Sequence, residues 1–317
     1  MMNTNNASKK TKTIGRRIHM QESNPLYDSE KYYKQRERFE KTLLSKLSLS
    51  KRQKIYPILR TIIKVRNKLN GYKIKCIGDK RTQTDKPKIF SITHIGKLDI
   101  ETVITYIKDH FVLLTGDFEN LYGTVDGTFL MLNGCVFVRK DDAVDRHLSK
   151  EKMISVLKSG GNLMWFPEGV WNLSPNLPVL QMPYGIIDVA QQADAVIIPI
   201  GIEEYGKDFI VNIGENFYVS KNKDDLISEI HRLRDCMATL KYEIWESVPP
   251  VLRSQLPKFS VMEESFLTKQ FSQWTLSKER IFSWIFKPKD IITFDEVYNH
   301  LGLIKPNLSN AFLFNKR

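Results

Sequence analysis

The apolar positions fall into distinct textures along the chain. Residues 1–22 are rich in Asn, Thr, Lys and Arg and hold almost no apolar side chain, which predicts a disordered tail. Residues 29–47 read as a charged helix. Over 54–69, Ile55, Ile58, Leu59, Ile62, Val65 and Leu69 recur at three- and four-residue steps. That spacing predicts an amphipathic helix with one apolar face. Pro57 is compatible only with its first turn, and Asn70-Gly71 supplies a closing cap. From residue 72 the apolar residues come in short runs, at 72–77, 89–93, 136–138, 163–166, 196–200 and 209–213. Helix-like stretches at 100–112, 142–158 and 183–193 separate them. Strands spaced by helices predict an α/β fold with a central mixed sheet flanked by helices. In 222–246, Leu226, Ile230, Leu233, Met237, Leu240 and Ile244 form a stripe at steps of 4 and 3. The stripe suits the buried face of a surface helix or the seam of a homodimer. The expected organisation is a tail at 1–22, a basic helical segment at 23–71, the α/β domain at 72–220 and a helical C-terminal extension at 221–317.

Charge adds a constraint that the pattern does not contain. Of 48 Lys and Arg, 24 fall in residues 1–90, against 7 Asp and Glu there; the remaining 227 residues carry 24 basic and 29 acidic side chains. The whole basic excess sits in the first third, which suggests an anionic partner for it. No nucleic-acid-binding module is recognisable, so nucleic acid is not the expected partner. An anionic lipid surface and an acidic carrier protein remain. No apolar run reaches the ~20 residues of a membrane-spanning helix, and the polar first twenty residues do not read as a secretory signal. Cys76, Cys135 and Cys236 are too few and too scattered for a disulfide framework or a metal site, and suit a reducing compartment.

Candidate chemistry begins at His94-Ile95-Gly96-Lys97-Leu98-Asp99, directly after a predicted strand. An imidazole titrates near neutrality and suits proton abstraction from a hydroxyl. A carboxylate on its other nitrogen fixes the tautomer and stabilises the imidazolium. Residues five apart on a regular helix lie about 140° off one face. The pair therefore meets only if His94 occupies the strand-to-helix turn and Asp99 the start of the helix, with Gly96 allowing a tight turn. Amides at the helix start are candidate oxyanion donors.

Three further blocks follow in order. Gly134-Cys135-Val136-Phe137-Val138-Arg139 ends a short apolar run in a cation, Phe166-Pro167-Glu168-Gly169 follows another, and Val196-Ile197-Ile198-Pro199 comes about thirty residues later. Over residues 72–220 the four blocks resemble the glycerolipid acyltransferase family, the lysophosphatidic-acid and glycerol-3-phosphate acyltransferases with a His-x4-Asp motif. The resemblance implies His94 as general base and Asp99 as its orienting partner. It implies Arg139 as a ligand of the acceptor's phosphate, Glu168 and Gly169 as shapers of the acceptor site, and no metal or cofactor. Many members continue the Phe-Pro-Glu-Gly block with a small residue and an Arg; here Val170-Trp171-Asn172 follows. An indole does not replace a guanidinium fork for phosphate. Trp171 and Gly96 are therefore candidate specificity positions.

The function implied is transfer of a fatty acyl group from acyl-CoA or acyl-carrier protein to an acceptor hydroxyl on a lysophospholipid or glycerol phosphate. The Trp171 departure keeps a non-phosphorylated lipid or cell-envelope glycan open as acceptor. A non-enzymatic, membrane-associated lipid-binding protein is the third reading. The expected location is cytoplasmic, peripheral at the inner face of the membrane. The helix at 54–69 and the aromatic-lysine stretch at 282–289 are the candidate contacts with anionic lipid.

Overall fold

The computed structural model describes residues 29–116, 121–174, 177–222, 225–271 and 277–288. The predicted tail at 1–22 and the chain beyond residue 288 lie outside them. Two helices open the fold, α1 (Ser29–Glu40) and α2 (Leu49–Leu69). They lead into β1 (Lys73–Asp79), β2 (Lys88–Ile92), α3 (Asp99–Val103), β3 (Val112–Thr115), α4 (Val125–Asn133) and β4 (Cys135–Phe137). The rest of the domain is α5 (Ala143–Lys158), β5 (Leu163–Trp165), α6 (Gly185–Ala193), β6 (Val196–Tyr205) and β7 (Asp208–Ile213). The extension holds α7 (Leu226–Glu246), α8 (Phe259–Phe271) and α9 (Lys278–Ser283).

The strands form one sheet in the order β1-β7-β6-β2-β5-β3-β4. All neighbours are parallel except β6 and β7, which pair as an antiparallel hairpin. Side chains alternate across the sheet, and both faces are covered. Ile89, Leu163 and Ile197 point into a core shared with α5, α6 and α7. Their neighbours Phe90, Met164 and Ile198 point into a core shared with α2 and α3. Burial on both faces is why these strands read as unbroken apolar runs.

Two expectations change, and one pair of alternatives is decided. The stretch 100–112 is not one helix: α3 ends at Val103, and Val112 to Thr115 form β3. Val112-Leu113-Leu114-Thr115 sits between β5 and β4, and sheet pairing on both sides overrides its helical spacing. Helix α2 starts at Leu49, so Pro57 lies in its interior. Tertiary contacts hold the turns before the proline: the buried Arg52 donates to the carbonyls of Met131 (2.6 Å) and Leu132 (2.9 Å), and Tyr56 Oη donates to Ile107 O (2.8 Å). Finally, the α7 stripe is covered within the chain. Ile230, Leu233, Met237, Leu240 and Ile244 are buried, which removes them as a dimer seam.

Candidate active site

The carboxyl ends of β2, β5, β3 and β4 lie side by side, and a cavity of about 770 Å³ opens over them. Ligands of open α/β sheets bind at such strand ends. His94 lies two residues beyond β2, and Asp99 is the first residue of α3. The turn between them brings His94 Nδ1 to 2.6 Å from Asp99 Oδ2. Asp99 is buried, and its carboxylate also accepts the amides of Ile95 (2.8 Å) and Gly96 (3.1 Å). Burial pushes the Asp99 carboxyl pKa up; the His94 ring and these two amides act against that and favour the ionised form. The turn needs no left-handed backbone at Gly96. The Ile95 and Gly96 amides, which precede α3, both serve Asp99.

The imidazole stacks on Phe166, with ring centroids 4.3 Å apart, and meets the edge of Trp171 at 6.3 Å. Behind it, Glu168 is buried and does not line the cavity. One carboxyl oxygen accepts His94 N (2.9 Å) and the other accepts Leu180 N (2.8 Å). Glu168 thereby ties the His94 turn to the loop that follows Trp171. Burial raises its pKa to about 7, against the pull of the two amides. Gly169 does line the cavity, at φ +73°, and a Cβ there would press on Lys140 Nζ.

The structure separates the two cations at the end of β4. Arg139 is 7% exposed and does not line the cavity. Its guanidinium is held by Asp141 (2.9 and 3.0 Å) and lies 5.8 and 5.6 Å from the rings of Tyr32 and Tyr33 on α1. Its amide donates to Asp145 Oδ2 (2.6 Å). Arg139 thus fastens α1 to the sheet edge. The next residue, Lys140, lines the cavity and donates to the Gly169 carbonyl. β4 ends at Phe137, and Lys140 and the adjacent Asp141 both line the cavity from the turn beyond it, so no strand alternation in the sequence singles out Lys140. Lys97 is a second lysine of the cavity wall.

Leu113, Leu121, Phe129, Leu130, Ile62 and Ile63 make one side of the cavity apolar. Of these, sequence reasoning singled out Ile62 alone, as part of the apolar row of α2; the others are scattered along the chain and meet only in the fold. At this side Arg66 is bracketed by Glu101 (2.7 Å) and Asp126 (2.6 Å), and burial raises the Glu101 pKa to about 7. Burial pushes the Cys135 thiol up to about 12, which disfavours its thiolate. Among the described residues no three His, Cys, Asp or Glu side chains are grouped to hold a metal ion.

Residues 73–203 match the family model described as Acyltransferase. A 1-acyl-sn-glycerol-3-phosphate acyltransferase of Borreliella burgdorferi is 25% identical over 201 residues, covering 63% of this chain and 77% of that protein. Among solved structures, the 1-acyl-sn-glycerophosphate (LPA) acyltransferase PlsC of Thermotoga maritima is 14% identical, with a TM-score of 0.49 over 70% of this chain and 91% of its own.

Proposed function

From the Acyltransferase-family domain that residues 73–203 form, we propose that this enzyme moves a fatty acyl group from an acyl-CoA or acyl-carrier-protein thioester to the hydroxyl of a lysophospholipid or glycerol phosphate, with His94 as general base. The observation that carries this reading is the 2.6 Å His94–Asp99 pair in the wall of a cavity with an apolar side and lysines at Lys97 and Lys140. Asp99 accepts the proton on Nδ1, which leaves Nε2 as the basic nitrogen. The acceptor oxygen gives its proton to Nε2 as it attacks the thioester carbonyl. The tetrahedral intermediate then collapses, the C–S bond breaks and the imidazolium returns the proton to the leaving thiolate. The apolar side takes the acyl chain. Lys140, rather than the buried Arg139, faces the acceptor's phosphate, with Lys97 as the second cation. These lysines favour an anionic acceptor over a neutral glycan despite Trp171.

Membrane contact belongs to the same reading. No helix among the described residues is long and apolar enough to cross a membrane. On α2, however, Ile58 (61%), Ile62 (44%), Val65 (52%) and Leu69 (81%) are exposed, in one row at steps of 4, 3 and 4. The helix also carries seven Lys and Arg and no acid. Apolar side chains set among lysines suit a helix lying in the surface of an anionic bilayer. Ile62 also lines the cavity, so such docking sets the cavity mouth at the lipid.

The test offers purified enzyme acyl-CoA or acyl-carrier protein with lysophosphatidic acid or glycerol 3-phosphate, and reads products by mass spectrometry. Product that disappears in His94→Ala supports the proposal. A fully active His94→Ala enzyme sinks it.

A further inference from the structure

Two parts of the cavity wall lie outside the Acyltransferase-matching region: the α2 face already described, which precedes it, and a second that follows it. That region ends at residue 203, whereas Ile281, Ser283 and Trp284 line the cavity from the far end of the chain. They belong to α9 and the residue after it, a helix of six residues capped by Ser277, whose side chain accepts Arg280 N (3.2 Å). So short a helix does not persist by propensity alone. Its anchor is Ile281, buried against Val170, Trp171 and Leu180. The last turn of α8 adds Phe271, 6.0 Å from the Trp171 ring.

Trp284 lies between two cations. Lys140 Nζ is 5.6 Å and the Arg280 guanidinium 4.7 Å from its ring. The indole face attracts a cation, so it biases where the Lys140 ammonium rests. The ammonium also donates to the Gly169 carbonyl, so the indole and this carbonyl together narrow the rotamers of a long side chain. The geometry points to the 277–286 segment as the selectivity wall of the acyltransferase cavity, with Trp284 positioning Lys140 for an anionic acceptor headgroup and the Ile281–Trp284 edge shielding His94 from water. Trp284 is a positioning residue, since it acts through Lys140. The inference rests on the acyltransferase reading and deepens it: the extension sets which headgroup enters and keeps water from competing with it.

The experiment compares Trp284→Ala, Trp284→Phe and Tyr242→Ala in the full chain. Tyr242 on α7 is exposed, absent from the cavity lining and serves as the control. Trp284→Ala is expected to raise KM for lysophosphatidate about fivefold or more, the weight of one cation–π contact, while kcat for transfer changes less than about twofold. It is also expected to raise acceptor-independent, His94-dependent thioester hydrolysis. Trp284→Phe restores most of the KM, and Tyr242→Ala matches wild type. In parallel, calorimetry with a short-chain lysophosphatidate compares His94→Ala with His94→Ala/Trp284→Ala, so binding is read without turnover. Binding weakened by the second substitution supports the wall even if no acyl transfer is found, in which case only the acyltransferase reading fails. Equal KM, hydrolysis and binding in Trp284→Ala and wild type overturn the wall, as does a fall in kcat and melting temperature with KM unchanged. Absence of lysophosphatidate binding to His94→Ala overturns it too.

Discussion

Replacing Asp99 with Asn separates the electrostatic part of the site from its shape. The wild-type carboxylate gathers His94 Nδ1 at 2.6 Å, Ile95 N at 2.8 Å and Gly96 N at 3.1 Å, in a buried position. Asn fits the same volume with one acceptor and one donor end. If its oxygen takes the His94 side, its NH2 group faces the Gly96 amide, donor against donor. If it turns over, NH2 meets Nδ1 and the ring proton moves to Nε2, which is then no base. In the first orientation the imidazolium loses a charged partner. Exchanging a charge-assisted hydrogen bond for a neutral one costs about 1–2 kcal/mol, a factor of about 5–30 in rate. In the second orientation the base is lost for most of the time, and the combined loss reaches about 10²–10⁴ in kcat. Asp99 is 2% exposed and offers almost no surface to acceptor or donor, so KM should change less than about threefold. The assay is steady-state transfer with saturating donor across pH 6–9, beside circular-dichroism melts. A kcat within about threefold of wild type, in a protein that melts normally, would refute the assignment of His94 as a base oriented by Asp99.

Three more predictions test neighbouring parts. Glu168 has a folded pKa near 7, above its ordinary value of 4.5, so the folded state holds the proton more tightly and stability falls as pH rises between those values. Glu168→Gln should flatten that slope by up to about 3 kcal/mol between pH 4.5 and 8, read from denaturant melts; an unchanged slope removes Glu168 as its source. Lys140→Ala should raise KM for an anionic acceptor about tenfold or more, whereas Arg139→Ala should leave KM near wild type and lower stability by about 1–3 kcal/mol. The opposite assignment of effects would restore Arg139 as the acceptor ligand. Ile62→Ser with Val65→Ser should weaken binding to anionic vesicles about tenfold or more in flotation, from the apolar burial lost, while binding to neutral vesicles stays weak throughout. Equal flotation would mean that the α2 row does not meet lipid.

The amino-acid order alone determined the framework. Runs such as 89–93, 163–166 and 196–200 are apolar on both alternating faces, so only a sheet covered on both sides satisfies them, and they became β2, β5 and β6. The His94–Asp99 contact was legible too, because an apolar strand followed by a short turn and a helix start leaves few ways to place a histidine and an aspartate five apart. What the order did not contain is direction. Periodicity shows that a helix has a face, not what covers it: the α7 row is buried against the sheet, while on α2 the fold buries Tyr56 and Leu59 and leaves Ile58, Ile62, Val65 and Leu69 outward. Arg139 and Lys140 are adjacent cations, and only the docking of α1 with Tyr32 and Tyr33 decided which one turns from the cavity. The strand at 112–115 was hidden for the same reason. Its sheet pairing comes from β4 and β5, which lie about 20 and 50 residues away in sequence, and non-local pairing outweighs local spacing. The wall at Ile281 and Trp284 is the extreme case, since a six-residue helix has little stability of its own and takes its place from Val170, Trp171 and Leu180, more than ninety residues earlier in the chain.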